Sequence, residues 1–381
     1  MFIPIFTAVM SSLALYVCLR LIVPLPISLG KRLLVCAAVV LVANRFIVQR
    51  QFGLVLPDGV FLVAAWLHAA VVLAFALALA TDIAGLILRI AGVRLPSLAR
   101  CAVLLAASLA LAAVGVHQAV RVPPVVEVTL RFPNLPPALE GFRIAHLADL
   151  HIGPLFGREW VDQVVDRTLA ARPDLIALSG DVIDAPPAVV RGDVEPLARL
   201  AAPYGVHVVA GNHEYIHGVD LWLEIFERLG LNVLYNRHTV IDVDDARMTV
   251  AGLADRFGLG SWQGEAPDLD KALDGAPRKD ADGFRLLLAH QPYDAKDAPI
   301  HDIDLQLSGH THGGQILPLQ SISARFHGGY VSGYYTVETM RLHVSNGTGL
   351  WAGFPVRLGV PSEITLITLS RCEDVLLAHC E

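Results

Sequence analysis

Four apolar stretches in the first third of the chain limit what it can fold into. They cover residues 2–23, 33–49, 60–81 and 99–118. A helix needs about 20 apolar residues to cross a bilayer, and the first, third and fourth stretches meet that length. The second is shorter and contains Asn44 and Arg45, so it is the weakest predicted span. We therefore predict a helical membrane domain of about four spans over residues 1–121.

Charge divides the chain at the same place. Residues 1–121 hold nine Lys and Arg against two Asp, whereas the remaining 260 residues hold twenty Lys and Arg against thirty-four Asp and Glu. The acidic second part argues against nucleic acid as a partner, because phosphate backbones attract Lys and Arg. Basic residues flank the first and third predicted loops, which the positive-inside rule assigns to the cytoplasm. We therefore expect a multi-pass protein of the inner cell membrane with both ends outside the cytoplasm. Loss of the second span would reverse the side of the second part.

Three further predictions concern the first apolar stretch, residues 83–92 and the C-terminal tail. The first stretch has no basic segment before it, so we expect an uncleaved span rather than a removed signal peptide. Residues 83–92 either extend the third helix or lie along the membrane interface. Cys372 and Cys380 lie in a predicted C-terminal tail, residues 371–381, and would pair only in an oxidising compartment.

The rest of the chain has the pattern of an α/β domain. A Pro-rich linker at residues 122–141 contains a predicted strand at 125–132, and a domain follows over 142–370. Its short apolar runs end in polar turn residues, as in FRIAHLAD, DLIALSGD, VHVVAGNHE, FRLLLAHQP and DLQLSGHTHGG. Such runs are typical of buried strands, and residues 161–169 and 221–229 have helical periodicity. In open α/β sheets the ligand site forms beyond the carboxyl ends of the strands.

The polar residues at these strand ends are of types that bind metals. They are Asp149, His151, Asp181, Asn212, His213, His290, His310 and His312. Asp149 and His151 are two residues apart, as are His310 and His312, so we expect extended backbone to project each pair to one side. Carboxylate, amide and imidazole ligands suit borderline divalent ions such as Mn, Fe, Co or Zn. The set contains no thiolate, which argues against a structural zinc site.

The order of these motifs, D-x-H, GD, GNHE, H and GHTHG, resembles the calcineurin-like metallophosphoesterase superfamily. LEGFRIAHLADLHIG, GHTHGGQ and NGTGLWAGFPVRLGVPSEITLITL make residues 125–370 most similar to its YkuE-like, membrane-anchored branch. The resemblance implies an α/β fold, a calcineurin-like sandwich of two mixed β-sheets flanked by helices. It also implies two divalent metal ions, Mn, Fe or Zn, between the strand-end loops.

The resemblance further implies a role for each residue. Three sets match the family's metal ligands: Asp149, His151 and His312 for the first ion, Asn212, His290 and His310 for the second, and Asp181 as the bridge. A metal-bridging hydroxide would attack a phosphodiester, phosphomonoester or pyrophosphate in line. His213 would steady the phosphoryl group and protonate the leaving group. Asp184 and Glu214 adjoin the motifs and are candidates for orienting the ligands.

Three functions remain open at this stage. The first is a membrane-anchored phosphohydrolase whose substrate is a phosphate ester, either lipid-linked or a nucleotide-sugar. The second is a UDP-2,3-diacylglucosamine-type lipid pyrophosphatase, although one branch with that activity has Arg where this chain keeps His213. The third is a non-catalytic metal-binding membrane scaffold or sensor, whose mark would be a missing ligand, and no ligand type is missing. The oligomeric state is not predicted. Among the other histidines, His146 is the one most open to a role, because it precedes the first ligand pair.

Overall fold

Two units make up the structure, a computed structural model that describes residues 2–52, 56–90, 97–261 and 264–372. The helical unit comprises Met1–Ala119 and Ala352–Arg357, and the α/β unit comprises Val120–Trp351 and Leu358–Glu381. A short segment late in the chain therefore belongs to the helical unit, which its sequence does not predict. Cys380 lies outside the described residues, and so does its pairing with Cys372.

Helices of ordinary membrane-spanning length dominate the helical unit. In chain order they are α1 (Phe2–Val17, continued by a π-helical turn at Cys18–Ile22), α2 (Leu29–Ala43), α3 (Arg45–Phe52), α4 (Asp58–Ile90) and α5 (Ser97–Val120). Within the described residues, three are long and apolar enough to cross a membrane: Pro4–Ile22, Gly59–Ile87 and Ala99–Val120. Since α4 continues to Ile90, the stretch after residue 83 extends the third span.

The second predicted span is interrupted. Helix α2 has 15 residues, a length of about 22 Å against a hydrocarbon thickness of about 30 Å. It ends at Asn44, whose side-chain amide donates to the Val40 carbonyl at 2.9 Å and to the Ser11 hydroxyl at 3.2 Å. The next residue, Arg45, is buried and donates from its guanidinium to the Ala352 carbonyl at 2.8 Å. Asn44 and Arg45, which made this the weakest predicted span, therefore interrupt the helix and form hydrogen bonds of their own.

Contacts inside the helical unit nevertheless show the directions in which the chain runs from α1 to α4. The guanidinium of Arg20, at the end of the first span, donates to Asp82 of α4 at 2.6 Å and 2.5 Å. At the opposite end, the rings of Phe6 and Phe46 lie 6.0 Å apart, and Arg45 lies 5.1 Å from the Phe61 ring at the start of α4. Helices α1 and α4 therefore run in the same direction, and α2 with α3 returns the chain between them.

The α/β unit contains two sheets. Its strands are β1 (Val125–Phe132), β2 (Arg143–Leu147), β3 (Leu175–Leu178), β4 (Val206–Val208), β5 (Asn232–Val233), β6 (Arg237–Val243), β7 (Ala246–Gly252), β8 (Gly283–Leu288), β9 (Leu305–Ser308), β10 (Gly333–Val337), β11 (Met340–Val344) and β12 (Ile364–Arg371). One sheet has the order β1-β12-β2-β3-β4-β5 and the other β10-β11-β9-β8-β7-β6. Each contains parallel and antiparallel pairs, so both are mixed, as predicted.

Helices flank the sheets, and apolar side chains fill the space between them. The helices are α6 (Arg158–Ala170), α7 (Pro187–Val190), α8 (Asn212–His217), α9 (Val219–Arg228), α10 (Leu269–Ala272) and α11 (Gln320–Phe326). Ile144 and Leu175 of one sheet join Val250 and Leu286 of the other in one fully buried cluster. Burying each such side chain contributes about 1.5–3 kcal/mol. The predicted strand at 125–132 and the five predicted apolar strands are confirmed, as are the helices predicted at 161–169 and 221–229.

Candidate metal centre

The strand-end residues singled out from the sequence come together at one edge of the two sheets. They follow β2 (Asp149 and His151), β3 (Asp181), β4 (Asn212 and His213), β8 (His290) and β9 (His310 and His312). Strands β2, β3 and β4 are parallel neighbours in one sheet, and β8 and β9 are parallel neighbours in the other. Their carboxyl ends therefore point the same way within each sheet, and the loops that follow them converge.

Asp149, His151 and His312 form the first group. Their ligand atoms all lie within 4.8 Å of one another, and the three residues are buried. The Nε2 atoms of His151 and His312 are 3.2 Å apart. Two nitrogens bound to one metal at about 2.0–2.1 Å would be about 3–3.4 Å apart. The spacing of the two imidazoles therefore fits a shared divalent ion.

Asp181, His290 and His310 form the second group, again with ligand atoms within 4.8 Å. The Nε2 of His290 lies 3.2 Å from Oδ2 of Asp181 and 3.3 Å from the amide oxygen of Asn212. Asn212 thereby joins the group. These oxygen and nitrogen donors have the spacing expected around a second divalent ion.

Asp181 also lies next to the first group. Its Oδ2 is 3.7 Å from Nε2 of His151, while its Oδ1 accepts the backbone N–H of His213 at 2.8 Å. One carboxylate oxygen therefore faces histidines of both groups. Asp181 is also the carboxylate for which the family resemblance implies a bridging role.

The charge states of two buried imidazoles, His151 and His310, suit metal binding. Burial, with a contribution from His213, lowers the pKa of His151 to about 3. Burial together with His290 lowers the pKa of His310 to about 3 as well. Both rings are therefore neutral at physiological pH, which is the form that binds a metal.

The backbone around the ligands differs from the extended geometry expected for the i, i+2 pairs. Five residues have left-handed φ angles: Asp149 at 53°, His151 at 49°, Asp181 at 50°, His310 at 70° and His312 at 48°. Non-glycine residues adopt this region infrequently, and such strain gathers at functional sites. The side chains of each pair thus converge through tight turns, and the expectation of extended backbone is wrong.

Two glycines make room for the carboxylates of Asp181 and Asp149. A Cβ added to Gly211 would lie 2.3 Å from Oδ1 of Asp181, and one added to Gly309 would lie 2.4 Å from Oδ2 of Asp149. The Asp149 carboxylate also accepts the backbone N–H of His310 at 2.9 Å, which ties the first ligand loop to the last. The glycines of the GNH and GHTH motifs are therefore required by close packing.

Gly309→Ala should weaken manganese binding by about tenfold or more, because the added methyl group displaces the Asp149 carboxylate. The measurement is the metal content of the full chain in detergent after dialysis against graded free manganese. Gly192→Ala is the matched control, since a Cβ there meets no atom within 4 Å. Equal manganese binding by the two variants would show that Asp149 does not need this space.

His213 and Asp184 form a pair beside the metal groups. The Nδ1 of His213 lies 2.8 Å from Oδ1 of Asp184, and the His213 ring lies 4.5 Å from the His151 ring. Burial lowers the pKa of His213, but Asp181 and Asp184 outweigh burial and raise it to about 9. Burial would raise the pKa of Asp184, yet hydrogen bonds from His213 and His217 hold it below its ordinary value. The pair therefore keeps a proton on His213 near neutral pH.

Glu214 supports the loops and not the ligand side chains. Its fully buried carboxylate accepts the backbone N–H groups of Gly211 at 2.6 Å, Asp181 at 3.0 Å, Val182 at 2.9 Å and Ile183 at 3.2 Å. It thereby joins the loop after β3 to the start of α8. Because Asp181 lies in one loop and Asn212 in the other, Glu214 fixes the relative position of two predicted ligands.

One acidic residue near the centre was missed from the sequence. Asp255 follows β7, is 2% exposed, and receives the side-chain amide of Gln291 on both carboxylate oxygens at 3.0 Å and 3.1 Å. Its charge also contributes to raising the pKa of His290, where the opposing burial effect is outweighed chiefly by Asp181. The signal was present, because VAGLAD is an apolar run ending in Asp like the others.

Comparisons with known proteins agree with this geometry. Residues 142–314 match the profile of a family described as calcineurin-like phosphoesterase. A transmembrane protein with a metallophosphoesterase domain from Bos taurus is 37% identical over 270 residues, which cover 68% of this chain and 60% of that protein. The metallophosphoesterase YkuE of Bacillus subtilis is 31% identical over 251 residues, which cover 64% of this chain and 84% of that protein.

Two further findings concern coverage and solved structures. The chain spans about 60% of the length of the bovine protein and of a similarly named protein from Danio rerio. Among solved structures, the sulfate thiohydrolase SoxB of Thermus thermophilus aligns with a TM-score of 0.39 and 16% identity, covering 64% of this chain and 58% of that chain.

Proposed function

Because the chain belongs to the calcineurin-like phosphoesterase family, we propose that its strand-end cluster is the binuclear catalytic centre of a membrane-anchored phosphohydrolase. The observation that carries this proposal is the position of Asp181. Its Oδ2 lies 3.2 Å from His290 of the second group and 3.7 Å from His151 of the first. A carboxylate oxygen shared in this way is the arrangement by which two ions are held close together.

The ligand assignment follows the two groups. Asp149, His151 and His312 would hold the first ion and Asn212, His290 and His310 the second, with Asp181 shared between the two groups. All of these donors are oxygen or imidazole nitrogen atoms, which suits Mn, Fe or Zn. When bound, two such ions lower the pKa of a water molecule and withdraw negative charge from a phosphate.

His213 supplies the proton that the leaving group needs. Its Nδ1 faces Asp184 at 2.8 Å, which leaves Nε2 for the departing oxygen of a phosphate ester. The Asp184 carboxylate holds the ring in one orientation and stabilises its charged form. A positioned acid of this kind contributes about 10² to 10⁴ in rate.

The membrane helices favour a substrate that is itself found at a membrane. A lipid-linked phosphodiester or pyrophosphate is our first candidate, with UDP-2,3-diacylglucosamine as the specific alternative. A scaffold or sensor that binds metal without turnover is the candidate from another class. Its mark would be a defective site, whereas all seven ligand types and the His213–Asp184 pair are brought together here.

A panel of substrates tests the reaction and separates these candidates. The full chain in detergent, loaded with manganese, would be given phosphomonoesters, aryl and alkyl phosphodiesters, nucleotide-sugars and UDP-2,3-diacylglucosamine. Hydrolysis that disappears with chelator and returns with manganese supports the enzyme. Two bound ions without release of product from any substrate would favour the scaffold or sensor.

The α/β unit should lie outside the cytoplasm. Four passes of the chain return it to the side on which it began, and basic residues such as Arg20, Arg32 and Arg100 collect at the opposite, cytoplasmic end. A dual reporter of alkaline phosphatase and a fluorescent protein, fused after Glu381, should show phosphatase activity. The same reporter inserted after Lys31 should fluoresce instead. If the Glu381 fusion fluoresced and showed no phosphatase activity, this orientation would be contradicted.

A further inference from the structure

Behind the metal groups, a chain of buried polar side chains crosses from one sheet to the other. The Nε2 of His146 lies 2.8 Å from the Ser179 hydroxyl, and its Nδ1 lies 2.9 Å from Nδ1 of His343. The Nε2 of His343 lies 3.9 Å from the Glu363 carboxylate. Ser179 and His146 are fully buried and His343 is 1% exposed. We call these four residues the buried relay.

Burial fixes the protonation of the relay. It lowers the pKa of His343 to about 3, and burial with the neighbouring His343 puts the pKa of His146 well below its ordinary value. Both rings are therefore neutral, and each has one donor and one acceptor nitrogen. The Glu363 carboxylate favours a proton on Nε2 of His343, so its Nδ1 accepts from His146. Nε2 of His146 then accepts from the hydroxyl of Ser179.

Each end of the relay lies beside a different metal group. The backbone carbonyl of Ser179 accepts a hydrogen bond from Nδ1 of His290 at 2.9 Å, which turns Nε2 of His290 towards Asp181. At the other end, Glu363 accepts the backbone N–H of Asn346 at 3.1 Å. The next residue, Gly347, packs against the first group, since a Cβ added there would lie 3.0 Å from the His312 ring.

We propose that His146 is a positioning residue for the metal centre, holding the Ser179 carbonyl so that His290 is oriented as a ligand of the second ion. This inference rests on the proposed function, because it gives His146 a purpose only if His290 binds a metal. Hydrogen-bond partners of this kind orient metal-binding histidines, and their loss weakens metal binding by about 10- to 100-fold. His146 itself touches neither metal nor substrate.

The test is the metal content of full-length variants in detergent. His146→Leu leaves the Ser179 hydroxyl and Nδ1 of His343 without partners, so the Ser179 carbonyl is no longer fixed. The matched control is His207→Leu. His207 is 2% exposed and, like His146, has two hydrogen bonds, to the Tyr204 carbonyl at 2.9 Å and to Asn232 at 3.0 Å, but it lies in β4. Both variants lose a buried imidazole that forms hydrogen bonds, but only His146→Leu interrupts the buried relay.

We expect two manganese ions per chain in the unaltered protein and in His207→Leu, and about one in His146→Leu at the same free manganese. The half-saturating concentration for the second ion should rise at least about tenfold in His146→Leu. His146→Gln, which restores an acceptor for Ser179, should recover most of the loss. Ser179→Ala, a smaller change that keeps the carbonyl, should show an intermediate loss.

Several results would overturn the proposal. Full metal content in His146→Leu and Ser179→Ala would do so, as would an equal loss in His207→Leu or a failure of His146→Gln to recover binding. These outcomes do not depend on turnover. If the unaltered protein bound two ions and hydrolysed no ester, the proposed function would fail while the role of His146 could still be decided.

Discussion

Asp181→Asn should reduce hydrolysis of a phosphodiester by roughly 10³-fold or more, the largest effect that we expect from a single substitution. As the proposed bridging carboxylate, Asp181 would offset the charge of two cations, whereas an amide oxygen is a neutral, weaker ligand. Losing one ion removes an electrostatic contribution of several kcal/mol, and each 1.4 kcal/mol is worth about tenfold in rate.

The measurement pairs the rate with the metal content of the same sample. Asp181→Asn should hold at most one manganese ion per chain under conditions in which the unaltered chain holds two. Asp166→Asn is the matched control, because Asp166 is an exposed acid of α6 that pairs with Arg199. It should keep both ions and full activity. Two ions and most of the activity in Asp181→Asn would refute the bridging assignment.

His213→Ala should produce the second largest effect, and its size should depend on the leaving group. A positioned acid matters most when the departing oxygen is strongly basic. With an alkyl phosphodiester we expect a loss of about 10² to 10⁴, and with an activated nitrophenyl diester a loss below about tenfold. Both metal ions should remain, because His213 is placed beside the ligands and is not one of them.

Metal analysis has to accompany these rates, since His213 follows Asn212 in the chain and its backbone N–H binds Asp181 at 2.8 Å. The control is His301→Ala, a histidine outside the candidate centre, which should change neither rate. Equal losses for both leaving groups with two ions bound would restrict His213 to binding the phosphate. Loss of an ion would make it a support for the second metal group.

Much of the site was predictable because its residues follow a regular pattern along the chain. Buried strands are apolar, and polar residues that follow them within a few positions reach the edge of the sheet. Asp149, Asp181, Asn212, His290 and His310 all stand at such points, and the structure brings them together. The mixed order of the two sheets came from the family resemblance, since periodicity does not specify which strands pair.

The remaining features depend on contacts between residues far apart in the chain. Asp184 pairs with His213 across 29 residues, and Glu214 binds backbone groups more than 30 residues away, so neither partner can be read from a local motif. The left-handed turns at Asp149 and His312 arise from the close packing of loops. Likewise, the guanidinium of Arg45 finds its carbonyl partner at Ala352, over 300 residues later, and no local pattern predicts such a contact.

The membrane part shows a related limit. Hydropathy located α1, α4 and α5, because an apolar run of the right length is sufficient for a spanning helix. Hydropathy does not show how the chain continues its return after a helix as short as α2. The answer came from paired contacts at both ends of the unit, Arg20 with Asp82 and Phe6 with Phe46, which require the chain to return between α1 and α4.

If two metal ions held by these loops act together in hydrolysis, as we propose, a stoichiometric titration will reveal it. The metal-free full chain in detergent would receive manganese in steps from zero to three equivalents, with bound metal and the rate on a nitrophenyl phosphodiester measured at each step. We predict binding of two equivalents, with activity rising mainly as the second is bound. Full activity with one bound equivalent, or two bound equivalents without hydrolysis of any phosphate ester, would contradict a catalytic role for two metal ions.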